Sequence, residues 1–343
     1  MSPAPVIARP ALLVALALAA PCAAVAADWA SVLTYNRFGD EGDPANTIRI
    51  DQFEAHLAEI ARGGYTVLPL SEIVRALKDR QPLPDRAIAI TIDDTHGSVY
   101  QHAWPRLKRA GLPFTLFVAT ETVDRSAAGY MNWSQVRELA QSGVEIGNLT
   151  ASHPHLTMQG TDRINYELET ASRRIREELD IEAKLFAYPY GEWSTEVRQL
   201  VTKAGFAAAF GQQSGVTHSG HDWFSLPRFP MNEQLGSLGR FRLAATALPI
   251  RVRELAPDDP MVTVNPPPIG FTVLSPIDRL DRLACFASSQ SGPAMIERLG
   301  EQRIEVRLSA PLPPGRSRVN CTMPGEDNRW HWLGLLFFQP TER

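Results

Sequence analysis

"AIAITIDDTH", residues 87–96, begins with six residues that read as apolar on both faces and ends in two adjacent carboxylates and a histidine. A short run apolar on both sides is what a strand buried in a parallel sheet requires, because helices cover both of its faces. The sequence on either side continues that pattern. "SVLTY" (31–35) reads as a strand. "DQFEAHLAEIARGG" (51–64) sets Phe53, Leu57 and Ile60 on one helical face and stops at glycines. "YTVLPL" then "SEIVRALKDR" repeats strand and helix. Downstream come a helix around 98–110, the strand "PFTLFVA", a helix over 133–142, the strand "VEIG", a charged helix over 161–179, the strand "LFAYP", a helix over 194–204 and the strand "FAAAF".

About seven such units in about 220 residues predict an α/β fold, either a barrel or a doubly wound sheet. Both architectures place their chemistry at the C-terminal ends of strands. The polar motifs fall there: "DDTH" after "AIAITI", "NLTASH" after "VEIG", and "PYGEW" after "LFA". Beyond residue 248 the chain turns proline-rich with short alternating runs, such as "RIEVRLSAPLPPGRSRVNCTMP" and "RWHWLGLLFF". That predicts a separate β-sandwich-like unit over 248–343, behind a barrel over 28–247.

The chain has 343 residues, 44% hydrophobic and 21% charged, which is an ordinary globular composition. Its 38 acidic and 34 basic residues give a net charge of −4 without long runs, which argues against a nucleic acid partner. Residues 1–27 carry Arg9, an apolar stretch from Ala11 to Ala20 and small residues before Asp28, the pattern of a secretory signal peptide. The apolar stretch is too short to span a bilayer, so no spanning segment is expected after cleavage. A lipid anchor would use Cys22, but Pro21 stands where a small residue is wanted. Cleavage would leave Cys285 and Cys321 as an even pair in an oxidising compartment, where a disulfide is expected, and would make the protein periplasmic or secreted.

Among the polar motifs, Asp93 and Asp94 stand at a strand end, where adjacent side chains point to opposite sides. One can hold a metal while the other handles a proton, although Asp94 could instead cap the following helix. His153 in "NLTASHPHL" is a suitable companion, since imidazole and carboxylate together fit a zinc-like divalent cation. Asn148 is a poor substitute for a ligand at position 149 because its side chain projects away from that of its neighbour. His155 reads as a loop histidine.

"TIDDT", "NLTASHPHL" and "FAYPYG", in this order and spacing, resemble the polysaccharide deacetylases of carbohydrate esterase family 4. The likeness runs over roughly residues 31–245. "LTYNRFGD" ahead of the Asp pair looks most like the branch acting on exported poly-N-acetylglucosamine. The resemblance implies a distorted (β/α) barrel, a glycan substrate and metal-assisted hydrolysis of an acetamide. It implies Asp93 as general base, Asp94 and His153 as ligands of a zinc-like cation, and a backbone N–H near Tyr190 at the oxyanion. Pro189 and Gly191 would shape the substrate loop, with Trp193 beside them. Separately, Arg228 in "SLPRFPMNE" reads either as a cation holding Asp93 ionised or as a surface arginine paired with exposed acids.

Four positions depart from the family pattern. Leu149 stands in place of the first histidine of the metal motif, and Asn36 in place of a histidine near the metal. Thr95 replaces a glycine, and Ala187 an arginine. No counterpart of the family's late general-acid histidine is found in "FRLAATALPI", and acid catalysis contributes about 10² to 10⁴-fold. Even partners behind the metal ligands matter about 10 to 100-fold, so Leu149 should leave the cation weakly held or absent. His96 is a candidate replacement. Three functions follow: an N-deacetylase impaired at its metal, an inactive glycan-binding homologue, or an O-acetyl esterase. Trp330 and Trp332 share a strand face that could stack on sugar or pack into the sandwich.

Overall fold

Strand Ala87–Asp93 is buried along its whole length in the computed structural model, which describes residue 2 and residues 26–40, 42–274 and 279–340. Except for residues 2, 26 and 27, the expected signal peptide and Cys22 lie outside the described residues. Among the described residues no helix is long and apolar enough to cross a membrane.

The main sheet runs, edge to edge, Ala208–Phe210, Leu185–Ala187, Glu145–Asn148, Thr115–Val118, Ala87–Asp93, Trp29–Tyr35 and Val216–His218. It is a curled half-barrel of seven strands, parallel except for the last, which pairs antiparallel with Trp29–Tyr35. "YTVLPL" contributes only Thr66–Val67, a side branch on Ala87–Asp93. The helices form where the apolar periodicity places them, at Ile50–Arg62, Leu70–Lys78, Trp133–Gln141, Thr161–Leu179 and Thr195–Lys203.

Period-two alternation divides each strand between two cores. Along Ala87–Asp93, Ile88, Ile90 and Ile92 pack outward with Phe53, Leu107 and Leu139. Ala87 and Ala89 face the barrel interior, joined there by Ala30, Val32, Phe117, Leu185, Ala187 and Phe210. The inward row then continues through Thr91 to Asp93.

The C-terminal region forms two four-stranded sheets. One runs Leu248–Pro249, Trp330–Gln339, Gly315–Pro324 and Ala284–Ala287, and the other Val252–Ala256, Ile269–Val273, Arg303–Arg307 and Met295–Leu299. A core around Phe271, Ile304, Val319 and Phe337 lies between them. Cys285 and Cys321 are cross-strand partners joined by a disulfide. Closing a loop with a sequence separation of 36 stabilises by roughly 3 to 4 kcal/mol on chain-entropy grounds.

Candidate functional site

Asp93 ends an inward row, and Arg228 comes up from the interior to meet it. Arg228 Nη1 donates to Asp93 Oδ1 at 2.6 Å and Nη2 to Oδ2 at 2.9 Å, a two-pronged pair with Arg228 at 0% exposure. Two further guanidinium donors reach the Gly211 carbonyl at 2.9 Å and Thr91 Oγ1 at 3.2 Å, and the cation sits 5.3 Å from the centre of the Phe117 ring. Arg228 is therefore no surface arginine. Four of its five N–H donors have acceptors, as a buried charge requires.

Gln212 adds a third hydrogen bond to Asp93, from Nε2 to Oδ2 at 3.3 Å. It follows the inward row of Ala208–Phe210, and the preference for chemistry at strand ends could have flagged it. Gly191 lets the "PYG" turn approach Gln212. A Cβ there would stand 2.5 Å from Gln212 Cβ, and φ is +74°.

Asp94 leaves the strand with φ of +72°, and its Oδ1 accepts from Thr95 N at 2.7 Å. Thr95 is buried, with its hydroxyl 3.2 Å from that of Thr122. In the second motif, Asn148 turns outward and donates to Ser172 Oγ at 3.0 Å, while its Oδ1 receives Thr150 N at 2.8 Å. Thr150 Oγ1 in turn accepts from His153 N at 3.0 Å. Buried Glu167 fastens the same loop, accepting from Ser152 N at 2.7 Å and Ser152 Oγ at 2.6 Å. Glu167 carries no motif that sequence reading could have used.

His153 stands at the mouth with the charges of Asp94 and Asp93 acting on it. Burial pushes its ring below the ordinary histidine range, against the pull of those carboxylates. Tyr190, with φ of 59°, packs edge-on to His153 at 4.6 Å and stacks on His155 at 4.1 Å. His155 is held by Glu192, Nδ1 to Oε2 at 2.6 Å, and desolvation raises the Glu192 pKa above the usual carboxylate value. Pro189 is buried under this turn. Trp193 faces a different cavity, of 280 Å³, shared with His218, His221 and Trp332, and stacks with Arg198 rather than lining the mouth at Asp93.

Leu149 points inward. It is 0% exposed and packs in the interior cluster with Phe117, Leu185, Ala187 and Phe210. Asn36, next on the inward row of Trp29–Tyr35, has its Oδ1 buried without a hydrogen-bond partner. His96 is engaged elsewhere, 2.8 Å from Ser98 Oγ, with Nε2 3.9 Å from Asp40. A zinc-type catalytic site takes three protein donors and keeps one open position. On the family pattern Asp94 and His153 would supply two and position 149 the third, but Leu149 is packed in the core and no three His, Cys, Asp or Glu side chains converge among the described residues. The residues present do not fit that cation.

Above Asp93 opens a groove of 470 Å³. Thr34, Asn36 and Gln212 line it from the barrel, and Phe286, Arg316 and Arg318 from the C-terminal sheets. Trp332 is not part of it; it packs against Phe229 at 5.4 Å and donates from Nε1 to Asn320 Oδ1 at 3.0 Å.

Residues 80–209 match the family model described as polysaccharide deacetylase. The poly-β-1,6-N-acetyl-D-glucosamine N-deacetylase of Staphylococcus aureus is 23% identical over 195 residues, covering 53% of this chain and 67% of that relative. Among solved structures, IcaB from Ammonifex degensii is 25% identical with a TM-score of 0.58, covering 65% of this chain and 99% of that one. The Streptococcus pyogenes deacetylase PplD in complex with acetate is 21% identical with a TM-score of 0.59, covering 63% of this chain and 98% of that one. The half-barrel is thus the fold of these deacetylases.

Proposed function

From the premise that the chain carries a polysaccharide deacetylase domain, we propose that it binds an N-acetylated, β-linked glycan in the groove above Asp93 and has lost the metal-assisted hydrolysis that the family resemblance implies. One observation carries this reading: Leu149, where a ligand is required, is wholly buried in the apolar interior. Moving it aside to admit a cation would forfeit roughly 1.5 to 3 kcal/mol of burial. In binding, the amides of Asn36 and Gln212 would meet sugar hydroxyls, and Tyr190 would form part of the rim. Asp93 would close the floor of the groove, its oxygens held by Arg228 and Gln212. The same reading has the protein periplasmic or secreted, with residues 1–27 as signal; the Cys285–Cys321 disulfide supports an oxidising compartment.

A second reading, slow deacetylation, is favoured by the retention of Asp93, Asp94 and His153 within range of one another's charges. The test is to titrate the purified chain with an N-acetylglucosamine oligomer by calorimetry and to measure acetate released from that oligomer and from acetylated xylan. Binding without acetate is expected. Zinc-dependent acetate from the N-acetyl oligomer would establish the second reading, and acetate from xylan alone would make the protein an O-acetyl esterase.

A further inference from the structure

The C-terminal sheets give the groove a cationic wall. Strand Gly315–Pro324 alternates buried with accessible residues, and its accessible row brings Arg316, Arg318 and Asn320 to the groove. Arg316 has partners: it donates to the Tyr190 carbonyl at 3.1 Å and lies 3.6 Å from the Glu192 carboxylate. Arg318 differs. Its Nε is buried without an acceptor, and the neighbouring charge acting on it is that of Arg316.

Nearby, half-buried Arg240 directs its donors to the carbonyls of Pro230 and Leu235 and to the Ser214 hydroxyl, none of them an anion. Burial first, and Arg318 second, bring the Arg240 pKa down to about 10, and burial then Arg316 lower that of Arg318. The acid that lines the groove, Asp93, is already committed to Arg228. In a chain of net charge −4, Arg318 and Arg240 thus stand at this wall without an acidic partner.

Phe286 stands on the adjacent strand as the cross-strand partner of Asn320, 45% exposed toward the same groove. A desolvated guanidinium without a partner is unfavourable alone and becomes favourable when a planar anion fills its donors. An exposed aromatic ring beside it offers an apolar face for a sugar ring.

We propose that the groove selects an acidic glycan, its anionic group held by Arg318 and an adjoining sugar ring laid on Phe286. The anion is a uronate carboxylate or a sugar sulfate, which share the oxygen geometry that a guanidinium fork recognises. This rests on the glycan-groove reading and adds the charge class of the ligand, with the C-terminal sheets setting specificity.

The full chain is titrated with three oligosaccharides of equal length: neutral N-acetylglucosamine, alternating N-acetylglucosamine and glucuronate, and sulfated N-acetylglucosamine. The better acidic oligomer is expected to bind about tenfold or more tightly than the neutral one, in keeping with one charge-assisted contact. The advantage should shrink as salt rises, and the tighter of the two acidic oligomers identifies the anion. Arg318→Gln removes the advantage, and Arg318→Lys restores part of it, because a lysine keeps the charge without the fork. Phe286→Ala weakens all three oligomers alike. Equal binding of neutral and acidic oligomers, or an unchanged preference in a folded Arg318→Gln variant, overturns the proposal while leaving the glycan groove standing. Binding of none of the three overturns both.

Discussion

Two inward rows of the half-barrel end differently. One runs Ala87, Ala89, Thr91, Asp93 and closes on a carboxylate that Arg228 grips with both nitrogens. The other runs through Gly147 to Leu149 and closes on an apolar side chain among Phe117, Ala187 and Phe210. Both ends are buried, and they face the same interior. The first keeps a charge because a matched partner is folded in with it. At the second, Leu149 is part of the apolar core. On the proposed reading, the scaffold keeps the polar part of the expected site at Asp93 and fills position 149 with apolar core.

The largest effect expected is at the first row. Arg228→Met leaves Asp93 buried without its counter-charge and should cost about 3 to 5 kcal/mol in denaturant unfolding, whereas Arg228→Met with Asp93→Leu should recover most of that loss. If the single variant is neutral, the pair is not what holds this row. At the second row, Leu149→Ala should cost about 3 kcal/mol through lost burial and the cavity left behind. A loss well under 1 kcal/mol would mean that the leucine is not core.

A buried polar group elsewhere gives the same contrast through pH. His56 is fully buried, with Nδ1 3.0 Å from Tyr35 Oη and Nε2 2.8 Å from the Gly236 carbonyl, and desolvation lowers its pKa to about 4. Its folded value lies below its unfolded one, so its contribution is fully present above pH 6.5. That contribution is lost as pH falls from about 6.5 toward about 4, by about 3 kcal/mol. His56→Gln should flatten the stability profile across that window; an unchanged slope would show that the ring is not held neutral. The smallest effect belongs to Gln212→Ala, about 0.5 to 1 kcal/mol, because Arg228 and not the amide anchors Asp93.

Much of this was legible from alternation and punctuation. A run apolar on both faces gave Ala87–Asp93 as a central strand, and the departure at Leu149 was visible as a residue type. The helices at 161–179 and 133–142 form almost to the residue, since their apolar faces were strongly periodic. Arg228 was named as a partner for Asp93 from the sequence, and the closing of the barrel brings these positions, 135 apart, together. The roles of Gln212 and Glu167 depend on loop geometry that neighbouring residues do not specify. Phe286, Arg316 and Arg318 belong to sheets whose alternation was readable, but nothing in that alternation says against which face of the barrel they come to rest. Trp332 was readable as amphipathic, and its packing on Phe229 follows from that same docking.

On the proposed reading, Leu149 closes this site to a zinc-like cation. Zinc titration by calorimetry, with metal analysis of the purified protein, tests it when the unmodified chain is set beside Leu149→His and the Leu149→His/Asn36→His double variant. The account predicts well under one zinc per chain in the unmodified protein and a gain of binding, with a higher Tm in zinc, once the histidines are present. Tight stoichiometric zinc in the unmodified protein would contradict it.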